Sequence, residues 1–377
     1  MSVIRRAVII CAAAALSLCA SLAFASPGWG WAIKRTTIAS GLDNPRDLAF
    51  GPDGHLYVAE AGHGGTECFK APGPEGEEEE SCLGLTSGVS RLDYGGHHKV
   101  VSGIASMAGK DGTAAEGISG VSFLDSRLFA VEGLNGEGPP PPGVSPATVA
   151  AAKSEFGRLA ECWAPFKCRV VANVGGFDFQ WSKEHKSLVP EQFPDANPYA
   201  VLATPWGELV LDAASNTLDF VSPKGNISVQ AFIPNPPVSD AVPTCLDRGP
   251  DGAIYIGELT GVPNKPGAAN VWRWVPGHAP TVWASGLTDV TGCGFGPDGQ
   301  FYAVEFTTLG LENGAPGTGA LVRVSAGSKG PEVLASGLNF PGGFAAGRDA
   351  IYYSEWSIAP AENKGGPTGQ VIRVTRG

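Results

Sequence analysis

The sequence has few charged residues, no basic run and, after its first 20 residues, no long apolar run. Charged residues make up 17% of the chain, and Asp and Glu outnumber Lys and Arg by 37 to 26, so the formal net charge is −11. Because phosphate backbones repel an acidic chain, we expect no nucleic-acid partner. The hydrophobic share of 43% is enough for a sizeable core and argues against a mainly disordered chain.

Several signatures of catalysis are also missing. The sequence contains no Gly-x-Ser-x-Gly elbow for a nucleophilic serine, and its six histidines are scattered. The cysteines form no Cys-x-x-Cys pair, which argues against a zinc site. No His–carboxylate pair recurs in a fixed frame, so the sequence leaves open whether the protein is an enzyme.

Residues 1–25 have the pattern of a secretory signal peptide. Arg5 and Arg6 form a basic start, residues 7–20 are apolar, and residues 23–25 supply a cleavage site of small residues. We therefore expect a mature chain of residues 26–377 that is secreted or kept outside the cytoplasm, in the cell envelope or periplasm. No later stretch reaches 18 apolar residues, so we expect no membrane span after cleavage.

Six cysteines remain once this leader is removed. An even number in an exported chain indicates disulfides, and among the possible connectivities the spacing favours one. The predicted pairs are Cys68–Cys82, Cys162–Cys168 and Cys245–Cys293.

One sequence unit occurs six times. Its clearest copy is LAFGPDGHLYVAE at residues 48–60, and close copies span residues 248–258 and 295–305. In each, a short apolar strand enters a Gly-Pro-Asp-Gly turn, and a second apolar strand leaves it and ends in a carboxylate. The acids that end the six copies are Glu60, Glu132, Asp212, Glu258, Glu305 and Glu355.

Each copy begins a set of four strands, and the terminal acids of the last four copies follow one another at intervals of 46 to 50 residues. This pattern is typical of β-propeller blades. The sequence therefore predicts an all-β, six-bladed propeller with four-stranded blades, as one domain over residues 26–377. Only one strand, 370–375, follows the last copy. We expect the N-terminal strand, 32–38, to complete the sixth blade and close the ring, which hides sheet edges.

Three insertions interrupt the regular strands, at about 62–84, 133–157 and 177–194. The second contains a helix signal, with Ser145 as N-cap and Pro146 at the first helical position. Because long loops on a repeat scaffold commonly carry function, we expect these insertions to roof one end of the central channel.

Several phrases are more specific than a general propeller repeat. They are DNPRDLAFGPDG at 43–54, AEAG at 59–62, DANPY at 195–199, GELTG at 257–261 and FPGG at 340–343. With Cys68 and Cys82, they resemble the ScyD/ScyE family of exported proteins over about residues 33–377. This resemblance implies a six-bladed propeller related to the NHL and gluconolactonase–regucalcin superfamily, and implies no particular reaction. The Cys245/Cys293 pair and the acidic loop 75–80 depart from the family pattern.

The best functional candidates lie where the chain enters each innermost strand, at the mouth of the channel. Asn and Asp oxygens suit Ca²⁺, which lactonase-type propellers use to polarise a carbonyl, although Asn-Pro and Asp-Asn-Pro also form turns without a ligand. The six repeat acids have a structural interpretation instead, as acceptors of backbone N–H groups from the next turn. The candidate ligand-binding residues are Asn44, Arg46, Asp47, Asn197, Tyr199, Thr244, Asp289 and Asn339.

These observations favour an exported, monomeric binding or scaffold module for a small molecule, a glycan or a protein. The excess of acid favours a cation or a neutral hydroxylated ligand over a polyanion. The alternative is a calcium-dependent, lactonase-like hydrolase that acts at the central channel.

Overall fold

A computed structural model describes residues 33–72, 78–94, 96–138, 140–163, 167–235, 240–361, 366 and 368–376. The predicted signal peptide lies outside the described residues. The described chain forms six antiparallel sheets, as expected for six blades.

Each blade is described from its inner to its outer strand. Blade 1 consists of Pro45–Phe50, Leu56–Glu60, Glu78–Asp93 and Gly96–Gly109. Blade 2 consists of Ile118–Leu124, Arg127–Glu132, Arg158–Trp163 and Lys167–Asn173. Blade 3 consists of Pro198–Thr204, Gly207–Asp212, Thr217–Val221 and Ile227–Phe232. Blade 4 consists of Pro243–Arg248, Ile254–Glu258, Ala269–Trp274 and Thr281–Leu287. Blade 5 consists of Val290–Phe295, Phe301–Glu305, Gly319–Val324 and Glu332–Leu338. Blade 6 consists of Phe344–Ala346, Ile351–Glu355, Gly369–Arg376 and Ile33–Leu42.

The ring closes as predicted. The N-terminal strand Ile33–Leu42 pairs antiparallel with the C-terminal strand Gly369–Arg376, with Thr36 opposite Arg373. The first and the last described strands therefore share one sheet, with Ile33–Leu42 as its outer strand, and this pairing closes the ring.

Blade 1 departs from the predicted four strands. An additional strand, Glu67–Pro72, pairs with the long third strand Glu78–Asp93, so this sheet has five strands. The sequence showed this segment only as an insertion, because its strand pattern is short and is followed by a run of Pro, Gly and Glu.

Within the described ranges, two α-helices and one 3-10 helix, Leu311–Asn313, interrupt the strands. The first α-helix, Pro146–Glu155, begins where the sequence predicts, with Ser145 accepting the N–H of Thr148. The second, Val174–Glu184, is capped by Asn173.

The Gly-Pro-Asp-Gly turn gains its stability from its aspartate. In blade 4, Asp251 accepts the N–H of Ala253 and the O–H of Tyr255, at 3.2 Å each. The same pair of bonds recurs in blades 1 and 5. The turn aspartate thus holds the tyrosine ring of the second strand, which packs towards the next blade.

The hydrophobic core is divided among the gaps between neighbouring blades. The gap between blades 4 and 5, for example, contains Tyr255, Val271 and Phe301, all buried. Because each blade packs only on its two neighbours, the core grows along the ring rather than in one central mass.

All three predicted disulfides are present. Cys68–Cys82 and Cys162–Cys168 join neighbouring strands within a blade, whereas Cys245–Cys293 joins the inner strands of blades 4 and 5. Such a set of disulfides points to an oxidising environment. Among the described residues, none of the helices has the length and apolarity that a membrane span requires.

Candidate functional site

Five of the six repeat acids, all but Glu132, accept a backbone N–H group within the described residues, although the donors differ in part from those expected. Glu60 accepts the backbone N–H of Asp43 at 2.6 Å, and Glu305 accepts that of Thr288 at 2.8 Å. Each donor lies in the loop that enters the inner strand of the same blade, not in the following turn. Asp212 bonds the following turn as well, through the N–H of Ser215.

A second set of polar side chains links adjacent blades around the channel. The hydroxyls of Ser119, Thr244, Thr291 and Ser354 each donate to a backbone carbonyl of the next blade, at 2.6 to 3.2 Å. Asp47 and Asp247 accept a backbone N–H from the next inner strand, at 3.1 and 2.7 Å. Most polar groups on the channel wall are therefore committed to holding the ring together.

Two cavities occupy the channel. The larger, about 360 Å³, is enclosed by the inner strands and is called the channel cavity here; Asp47 and Asp247 line it. The smaller, about 80 Å³, lies where the inner strands begin and is called the mouth cavity. The two cavities meet, since they share four lining residues, which are Arg46, Tyr199, Thr244 and Thr291.

Three side chains around the mouth cavity have polar groups that remain available to a ligand. Arg46, Glu116 and Tyr199 come from blades 1, 2 and 3 and all line it. Arg46 donates to the carbonyl of Ala115 at 2.6 Å, and it takes no part in the ion pairs found within the described ranges. Among the described residues, the Glu116 carboxyl and the Tyr199 hydroxyl form no hydrogen bond.

Burial keeps the carboxyls of this region from ionising easily. Burial raises the pKa of Glu116 to about 7, although the nearby Arg46 lowers it. Burial likewise raises the pKa of Asp47 to about 7, with backbone hydrogen bonds acting in the opposite direction. Burial also raises the pKa of Tyr199, so its hydroxyl keeps its proton and can donate. The site thus offers donors and acceptors side by side near neutral pH.

The eight predicted residues do not all converge. Arg46, Asp47, Tyr199 and Thr244 line the cavities, and Asn197 lines the mouth cavity alone. Asn44 is fully buried and donates its amide to the carbonyls of Gly62 and Gly112. Outside the lining of both cavities lie Asn44, Asp289 and Asn339.

Among the described residues, none from the three predicted insertions lines the mouth cavity. The first two pack on each other through a core that includes Phe69, Met107 and Phe156, and Glu67 accepts the hydroxyl of Thr148 at 2.6 Å. The residues that cover the mouth cavity come instead from the loops after the second strands, such as Phe306 and Ile358.

The residues described do not fit a calcium ion at the mouth. The Asn197 side-chain oxygen already accepts the N–H of Leu134 at 2.7 Å. Both Asp247 oxygens accept backbone N–H groups. Within the described ranges, no three His, Cys, Asp or Glu side chains converge in a way that could hold a metal. Calcium binding remains a prediction for titration.

Glu116 is the site residue that the sequence reasoning missed. It precedes the repeat acid Glu132 by the same distance that separates Asn44 from Glu60 and Asp289 from Glu305. Counting back from the acid of the weak second copy would have found it.

Comparison with known proteins supports the fold. No family model and no curated protein matches the sequence. Among solved structures, a protein named as a putative oxidoreductase (glucose dehydrogenase) from a Thermus species is similar, with a TM-score of 0.52 and 14% identity over 91% of this chain and 100% of that chain. A protein of unknown function from Bacteroides thetaiotaomicron has a TM-score of 0.52 and 9% identity, over 91% of this chain and 76% of that chain. A streptogramin B lyase has a TM-score of 0.49 and 11% identity, over 93% and 100%. At these identities the likeness shows the β-propeller fold that the chain shares.

Proposed function

We propose that this protein is a binding module that holds a small hydroxylated molecule, such as a sugar, at the mouth cavity and the adjoining channel cavity. One observation carries the proposal: Arg46, Glu116 and Tyr199, from three blades, surround one cavity with groups that the ring does not use. A hydroxyl both donates and accepts, so it matches a carboxylate beside a guanidinium and a phenol.

Charge in the channel supports a neutral ligand over a polyanion. Burial raises the pKa of both Asp47 and Asp247, and the charge of Asp247 adds to the increase at Asp47. Arg46 is the single cationic residue among those that line the two cavities. A polyanion would face these carboxyls, whereas a polyol would accept from Arg46 and donate to Glu116.

The experiment is thermal unfolding of the mature protein with a panel of monosaccharides and with CaCl₂. Binding at 100 times Kd should add about 2.7 kcal/mol to the free energy of unfolding. We expect a shift with at least one sugar, and loss of that shift in Glu116→Gln and in Tyr199→Phe. Glu305→Gln, which changes a buried repeat acid away from the cavity lining, serves as the control for general destabilisation. No shift across the sugars would contradict the proposal.

A hydrolase at the same cavity is the second candidate, favoured by the pKa of about 7 at Glu116, which suits a general base. The assay is hydrolysis of D-glucono-1,5-lactone with and without CaCl₂. The binding proposal predicts no rate above the uncatalysed one. Turnover that Glu116→Gln abolishes would replace it with the hydrolase.

A further inference from the structure

The gap between blades 5 and 6 has a smaller aromatic cluster than the preceding gap, because Tyr302 stacks on Phe344 alone, at 6.3 Å. Between blades 4 and 5, the rings of Trp283, Phe295 and Phe301 all pack around Tyr255, with ring centroids 4.9 to 5.9 Å from it. The strand registers give the equivalent residues of the next gap, because Phe295 pairs with Phe301 as Ala346 pairs with Ile351. In the next gap, Tyr302 replaces Tyr255, and the other three rings are replaced by Leu334, Ala346 and Ile351.

This replacement leaves a cleft of about 610 Å³, called the blade 5–6 cleft here. It shares no lining residue with the mouth cavity or the channel cavity. Its lining is mixed, with an apolar part and a charged part, and its size falls within the range of small-molecule sites. The apolar lining residues are Ile33, Pro297, Leu321, Leu334, Ala350, Ile351 and Val374, and the ring of Tyr302 joins them.

The rim of the blade 5–6 cleft is cationic, although the chain as a whole is acidic. Three arginines line the cleft against two aspartates, in a chain of net charge −11. Arg323 pairs with Glu332, and Arg376 pairs with Asp298 at 2.6 Å. Arg348 is exposed and takes no part in the ion pairs or hydrogen bonds found within the described ranges. Its guanidinium is therefore available to an anionic group at the rim.

We propose that the blade 5–6 cleft binds a small molecule with an apolar, ring-sized body and one anionic group, such as an aromatic carboxylate or sulfonate. The body occupies the space that Trp283 and its neighbours fill in the preceding gap. The anion lies at the rim beside Arg348. This site is independent of the sugar site proposed at the channel.

The probe is 1-anilinonaphthalene-8-sulfonate, a fluorescent aromatic sulfonate, titrated into the mature protein. We expect one site whose affinity falls at least tenfold in Leu334→Trp, which puts the side chain of Trp283 into the cleft. Arg348→Ala should weaken binding several-fold, and Arg273→Ala should not. Arg273 is the control for loss of an arginine outside the cleft: it is the blade 4 counterpart of Arg323 and does not line the cleft.

Neutral N-phenyl-1-naphthylamine separates charge from apolar contact, and its affinity should be unaffected by Arg348→Ala. Unchanged sulfonate binding by a folded Leu334→Trp variant would place the probe elsewhere and overturn the proposal. An equal loss of sulfonate affinity in Arg348→Ala and Arg273→Ala, or no loss in either, would overturn the proposal that an anionic group lies beside Arg348. No binding of the sulfonate by the wild type would overturn the whole proposal. Binding that appears only in Trp29→Ala/Trp31→Ala would assign the cleft to the segment before Ile33 and would also overturn it.

Discussion

The gap between blades 4 and 5 and the gap between blades 5 and 6 are built on the same repeat and are closed very differently. The first has an aromatic cluster around Tyr255 and a disulfide between the two inner strands. The second has a single stacked ring pair, Tyr302 and Phe344, among mainly aliphatic residues, no disulfide among its described residues and a cleft of about 610 Å³. The repeat therefore specifies the strands and turns, while the few residues between blades decide whether a gap is filled.

The largest effect should come from the disulfide that only the first gap has. Cys245 and Cys293 are 48 residues apart, so removing both should lower the free energy of unfolding by about 4 kcal/mol through loop-closure entropy. Urea unfolding of Cys245→Ala/Cys293→Ala measures this cost.

The control is Cys162→Ala/Cys168→Ala, in which the loop spans a separation of only 6 residues. It should cost about 2 kcal/mol. Equal costs for the two pairs would contradict the view that the bridge across the blades constrains the longer loop.

The next effect compares one repeat position in the two gaps. Phe301 is 1% exposed in the aromatic cluster, and Ile351 is 7% exposed beside the blade 5–6 cleft. Phe301→Ala should cost about 4 kcal/mol, and Ile351→Ala about 2 kcal/mol, because Ile351 already borders open space.

Chemical denaturation of the two variants, referred to the same wild type, checks the difference. A larger cost at Ile351 would mean that the second gap is as well packed as the first. The cleft would then have to close in solution.

The smallest effect concerns the entry to blade 5. Asp289 is buried, its two carboxyl oxygens have no hydrogen-bond partner among the described residues, and burial with the nearby Glu305 raises its pKa to about 8. The folded state therefore keeps a proton that the unfolded chain releases above about pH 4, so rising pH from 4 to 8 costs stability. Asn44 occupies the equivalent position in blade 1, directly before the inner strand, and both Asn44 and Asp289 have a positive φ.

Asp289→Asn should thus stabilise the protein on the order of 2 kcal/mol more at about pH 7 than at about pH 5.5. Thermal unfolding at the two pH values measures it. A gain that does not depend on pH would show that the Asp289 carboxyl is solvated or paired.

The fold could be predicted from the sequence because the unit of two strands and a turn occurs six times. The turn Gly-Pro-Asp-Gly, the tyrosine three residues before each strong repeat acid and the missing last strand together specify six blades and their closure. The three disulfides followed from parity and spacing.

The site was predictable only in part. Arg46 and Tyr199 were found because they follow recognisable entry phrases, whereas Glu116 lies in a weak copy whose entry phrase is absent. Thr244 has the polarity of a ligand-binding residue, yet its hydroxyl donates to Val290 of the next blade at 2.6 Å. Sequence shows which groups are polar, but only the packing of neighbouring blades shows which of them are already bonded.

The most direct test of the account is a crystal structure of the mature protein soaked in the monosaccharide that gives the largest thermal shift. The account predicts a sugar in the mouth cavity or the adjoining channel cavity, with hydroxyls bonded to Arg46, Glu116 and Tyr199. A sugar bound only outside these two cavities, with the three side chains unchanged, would contradict it.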